Sequence, residues 1–155
     1  MSSICIIDTS VFCNILKVPM KSQQYDETVQ LFAEYMELDY TFLLPMATIY
    51  ETGNHIAQNG DGEIRRKRAE LFVSLVRDAF VGRTEEKPRW VSTPLDNSQE
   101  FMDWLAQFPD QAMSGTGLGD LSIIKVFERQ CELHNMRHVF IWSYDNHLRA
   151  YSREI

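Results

Sequence analysis

The pattern that most constrains this chain is a short, unbroken, largely β-branched run that stops at polar residues and then gives way to helical periodicity. It occurs first as ICII, Ile4 to Ile7, ending at Asp8-Thr9-Ser10. It returns as TFLLP, Thr41 to Pro45, and as VFIWS, Val139 to Ser143, with WVSTP, Trp90 to Pro94, a weaker fourth case. Runs of this length without polar alternation suit strands buried on both faces. Between them, apolar spacing predicts helices over about 26–38, 48–58, 63–81, 98–108 and 120–133.

Strands alternating with helices predict an α/β domain with a mainly parallel central sheet covered on both sides. Ligands of such sheets gather at the carboxyl ends of the strands. Residues 82–88 and 115–119 read as loops, and no repeat or low-complexity tract interrupts the chain. At 155 residues, with 45% hydrophobic and 12% aromatic content, one domain spanning 1–155 has material for a real core. No apolar run nears membrane-spanning length, and the N-terminus lacks a basic region and a cleavage site. The expectation is a cytoplasmic protein with no membrane partner. Cys5, Cys13 and Cys131 lack metal-ligand spacing and sit among apolar residues, so they read as reduced, buried thiols.

The formal charge of −7 argues against a general polyanion binder, because phosphate contacts draw their affinity from Lys and Arg. The balance is uneven: between Glu63 and Arg89, eight basic residues stand against five acidic ones. A nucleic-acid role would lean on that segment, or the surplus acid elsewhere would serve a metal. Within it, RRKR makes Arg65, Arg66 and Arg68 candidate substrate-binding residues. The alternative is a solvated helix face, since four consecutive residues point all around a helix.

Four carboxylates fall near one edge of the expected sheet. Asp8 follows the first strand, Glu51 lies a helical turn beyond the second, Asp120 opens the helix after GTGLG, and Asp145 follows the last strand. Each alone has a structural explanation. Asp8 and Asp145 suit helix caps, Asp120 complements a helix dipole, and Thr48-Ile49-Tyr50-Glu51 matches a capping box. Jointly they are different, because anionic groups gathered this closely repel unless protons or cations neutralise them. Hard oxygen ligands without nearby His or Cys favour Mg²⁺ or Mn²⁺ over zinc. Two such ions about 4 Å apart would align the attacking and leaving oxygens of a phosphodiester.

The blocks IIDTSVF, LLPMATIYETGNHI, GLGDLSIIKVF and FIWSYDNHL resemble, in order and spacing, those of the PIN-domain ribonuclease family, which includes the VapC-type toxin nucleases. The resemblance covers nearly the whole chain. It implies a three-layer α/β/α sandwich around a mainly parallel sheet of four or five strands, and Mg²⁺- or Mn²⁺-dependent cleavage of RNA. It also implies that Asp8, Glu51, Asp120 and Asp145 are the acidic quartet, catalytic and metal-holding, with Ser10 and Ser143 as donors that orient the carboxylates. The segment from Val81 to Gly119 is longer than the compact toxin pattern. An antitoxin-like protein partner and a homodimer both stay open as associations. So do a catalytically silent PIN-like RNA- or protein-binding module and a housekeeping RNA-processing subunit.

Other features carry less. SGTGLGD departs from the dinucleotide-loop spacing and follows no strong strand. Asn14, Asn54 and Asn146 read first as capping or surface residues. His55, His134, His138 and His147 have no ligand-like spacing. The apolar neighbours of Trp90, Trp104 and Trp142 suggest core positions rather than base stacking.

Overall fold

In the computed structural model, which describes residues 2–81, 89–95 and 97–155, ICII forms β1 (Ile4–Ile7). Its four side chains are fully buried, and each isoleucine contributes roughly 1.5–3 kcal/mol of burial free energy. Such a strand must be central. β1 pairs in parallel with β2 (Thr41–Pro45) on one side and β4 (Val139–Trp142) on the other. β3 (Arg89–Thr93) extends the sheet in parallel beyond β2, and β5 (Ser152–Arg153) runs antiparallel to β4. Among the described residues the sheet therefore has five strands in the order β3-β2-β1-β4-β5, and seven helices accompany it.

Strand alternation sends the apolar side chains to two faces. Cys5, Ile7, Phe42, Leu44, Trp90 and Trp142 join one cluster with residues of α1 (Thr9–Ile15), α2 (Tyr25–Glu37), α3 (Met46–Gln58) and α4 (Gly62–Val81). Ile4, Ile6, Leu43, Val139 and Ile141 join the other, with α6 (Leu118–Leu133) and α7 (Asn146–Arg149). α5 (Ser98–Met113) packs on α6. Apolar cover on both faces is consistent with a three-layer arrangement.

The strand order matters for ligands. The chain steps outward from β1 to β2 and β3, then returns across β1 to lay down β4. The direction of winding thus reverses between β1 and β4, which opens a crevice at their carboxyl ends.

Several boundaries depart from expectation. The capping box at Thr48 does not form, because α3 starts two residues earlier, after Pro45. Thr48, fully buried, instead donates to Ile7 O at 2.8 Å and ties α3 to the end of β1. α6 starts at Leu118, so Asp120 is its third residue rather than its first. α5 runs through Pro109 to Met113, past the stop expected at Phe108. A proline removes one ladder bond but does not forbid another turn; here the end is closed by Ser114 N–H donating to Asp110 O at 3.3 Å and Gln111 O at 3.1 Å.

The two-residue β5 is too short to carry a periodicity. It is anchored by Arg153, whose guanidinium donates to Cys131 O at 2.8 Å, to Arg137 O at 2.6 Å and to His134 O. A cation at those carbonyls complements the end of α6. Cys5 and Cys13 are buried free thiols as expected, whereas Cys131 is only partly covered. No helix among the described residues is long and apolar enough to cross a membrane. The loop expected over 82–88 lies outside the described residues.

Candidate functional site

Asp8 is placed by the ladder itself. Its N–H donates to Trp142 O at 3.1 Å, extending the β1–β4 pairing by one residue. Because Ile7 pairs with Trp142, the next residues, Asp8 and Ser143, lie side by side at the crevice. Ser143 Oγ donates to Asp8 Oδ2 at 2.7 Å and Ser10 Oγ donates to the same oxygen at 2.9 Å. Each hydroxyl also accepts a backbone amide: Tyr144 N–H reaches Ser10 at 3.0 Å, and Asp145 N–H reaches Ser143 at 2.9 Å. With their single protons committed to Oδ2, the two serines fix the carboxylate plane and leave Oδ1 for a ligand. Asp8 is 4% exposed, so this orientation is held deep in the crevice.

Glu51 arrives from α3. Thr9 Oγ1 donates to its Oε2 at 2.8 Å, linking it to the first turn of α1. Across from it, the backbone of Gly119 comes so close that a β-carbon there would collide with Glu51 Oε1. Asp120 follows immediately on α6. Asp145 is exposed, and it caps α7 by accepting His147 N–H at 2.8 Å.

Asp8, Glu51, Asp120 and Asp145 line one cavity of about 300 Å³, so the structure brings the four sequence candidates together. Their proximity shows in Asp120. Burial first, then the Asp8, Glu51 and Asp145 carboxylates, push its carboxyl from 3.8 up to about 6, and His147 pulls the other way. No group of three or more His, Cys, Asp or Glu among the described residues is arranged to hold a metal ion.

The chemistry of the donors suits a hard divalent cation, since the acids offer only carboxylate oxygens around one buried aspartate. One premise needs correction: Cys13 and His55 also line the cavity. Burial pushes the Cys13 thiol up to about 11, against weaker lowering by Thr52 and Lys21, which keeps it protonated and a poor ligand. His55, one turn beyond Glu51 on α3, is partly buried and brings an imidazole to the cavity wall.

Other residues fall where the sequence reading did not put them. Thr9, Asn14, Lys21, Gln23 and Gln24 complete the cavity wall. Asn14 is no surface cap; it is 2% exposed and bridges two backbone segments. Nothing local in the sequence marks Lys21. Trp90 and Trp142 are core residues, but Trp104 lines a second, apolar cavity of about 430 Å³ that meets the acidic one at Glu51. Arg65, Arg66 and Arg68 lie on α4 and are not among the residues lining the acidic cavity. Arg66 pairs with Glu70 at 3.2 Å, and Arg65 Nε donates to Gly60 O at 2.9 Å.

The fold and site together define an α/β protein with an acidic crevice at the switch point of its sheet. In comparison with known proteins, no family model, no curated protein and no solved structure matches the chain.

Proposed function

We propose that this chain is a Mg²⁺- or Mn²⁺-dependent endoribonuclease with a PIN-like α/β/α sandwich, acting on RNA in the cytoplasm. The observation that carries this reading is the meeting of four carboxylates, from four separate chain segments, in one cavity at the sheet's switch point. A cluster of that kind is costly unless a cation is its purpose. Asp8, Asp120 and Asp145 would hold the ion, and Glu51 would complete the set or orient water. When bound, the ion supplies Lewis-acid activation of water and phosphate for in-line hydrolysis. Ser10 and Ser143 hold Asp8 through Oδ2, Thr9 holds Glu51, and the depth of Asp8 limits competing solvent.

The test is cleavage of labelled single-stranded RNA with Mn²⁺ or with chelator, alongside Asp8→Asn and Asp120→Asn. The parent is expected to leave 5′-phosphate ends only with metal, and both variants to lose at least a hundredfold in rate. Equal cutting by the variants would sink the reading. A toxin role follows from the same resemblance: induced expression should stop growth, and the Asp8→Asn form should not. Normal growth with abundant active protein would favour a housekeeping RNA-processing subunit.

One observation favours a silent binding module instead. The Asp145 carboxylate is already engaged as a helix cap. The cleavage assay separates the two, because a silent module binds RNA or a protein partner without turning over, whether its acids serve stability or hold metal.

A further inference from the structure

Lys21 is the single Lys or Arg among the described residues lining the acidic cavity. Its ammonium makes no ion pair among the described residues. The turn that carries it is built into the fold. Val18, fully buried, accepts the Lys21 N–H at 3.0 Å and donates its own N–H to Cys13 O at 2.9 Å. Asn14 donates Nδ2 to Ser10 O at 2.8 Å and accepts Gln24 N–H at 3.0 Å through Oδ1. One buried amide therefore couples the segment bearing Asp8 and Ser10 to the turn bearing Lys21, Gln23 and Gln24. The last two share the cavity wall with Lys21.

We propose that Lys21, with the side-chain amides of Gln23 and Gln24 beside it, forms a phosphodiester-binding subsite next to the four acids. The inference rests on the nuclease reading for its substrate. A chain of net charge −7 with four carboxylates in one cavity repels a polyanion. Cations held by the acids would offset the carboxylates and serve the reacting phosphate, but leave a neighbouring diester of the same strand without a partner. An ammonium on a fixed turn supplies that partner as a point charge; the Gln24 side-chain amide and the second Nε2 N–H of Gln23, whose other N–H donates to Met20 O at 2.8 Å, add directional donors.

The experiment is fluorescence anisotropy of a labelled single-stranded oligoribonucleotide over a salt series, with Lys21→Met, Lys21→Arg and, as control, Lys17→Met. Lys17 lies over the Tyr25 ring at 4.7 Å and is not on the cavity wall. Lys21→Met is expected to weaken binding roughly tenfold and to reduce the log–log salt slope by about 0.7, the value of one phosphate contact on a single strand. Lys21→Arg should restore most of the affinity, Lys17→Met should match the parent, and unfolding midpoints should stay together. Parent-like binding by Lys21→Met overturns the proposal, as does equal loss in both Lys21 variants with lowered unfolding midpoints, or no RNA binding by the parent. Cleavage with Mn²⁺ is read separately: Lys21-dependent binding without any cleavage supports the subsite and sinks only the nuclease reading.

Discussion

Glu51 and Gly119 interlock across the crevice: the carboxylate tip of one occupies the space where a β-carbon of the other would stand, with Glu51 Cδ only 3.4 Å from that position. The glycine is thus a condition for the acid's placement. Gly119→Ala should leave stability within about 1 kcal/mol of the parent, because the displaced atoms are the end of a flexible side chain and alanine is the better helix former. Mn²⁺ affinity measured by calorimetry should nevertheless fall tenfold or more. An unchanged affinity would show that Glu51 can hold its role from another rotamer.

Ser143→Ala removes a donor from Asp8 and the acceptor of the Asp145 amide at once. Two groups lose partners at a site 4% exposed, and urea unfolding should register a loss of about 1–3 kcal/mol. Single-turnover cleavage should slow by 10–100-fold, the usual effect of removing an outer partner of a ligand. Ser10→Ala added to it should cost less than the sum of the two, since both hydroxyls serve one oxygen.

Burial, followed by its acidic neighbours, raises Asp120 from 3.8 to about 6. Between those values the native chain holds more protons than the unfolded chain, so this group makes stability fall as pH rises through that window. The sign is opposite to that of a salt-bridged carboxylate. Asp120→Asn should remove that part of the slope, being more stable than the parent at neutral pH and converging with it below pH 3.8. Urea titrations across pH check this. Mn²⁺ binding below about pH 6 should also release a proton from the parent, detectable by calorimetry in buffers of different ionisation enthalpy.

Thr48→Val keeps the shape of the side chain but strips the hydroxyl that donates to Ile7 O at 2.8 Å. The carbonyl at the end of the central strand is then left buried without that donor, which costs about 1–3 kcal/mol in chemical denaturation. The same substitution in a capping box would cost about 1 kcal/mol at an exposed helix end. Thr48→Ser should restore the bond at the expense of a methyl group.

How much was readable from sequence follows from the range over which each signal acts. The runs ICII, TFLLP and VFIWS, and the acids that end or follow them, are local facts. A short apolar run with no polar alternation must be buried on both sides, and whatever follows it lands at the sheet's edge. That much located β1, β2 and β4 and set Asp8, Glu51 and Asp145 near one edge, whereas Asp120, which follows no such run, was drawn in by its place after GTGLG and by the family resemblance.

The tertiary structure decided what depends on strand order and close approach. Ser143 serves Asp8 across 135 positions because β4 lies beside β1 in a particular register. Gly119 reads as one more loop glycine until Glu51 fills its missing side chain, and Lys21 draws no notice until the fold sets it on the wall of the acidic cavity, on a turn tied to Asn14. Such relations join residues far apart in the chain, and no periodicity encodes them. Hydrophobic pattern fixes which surfaces are buried, whereas the pairing of strands and the fit of side chains fix which polar groups meet.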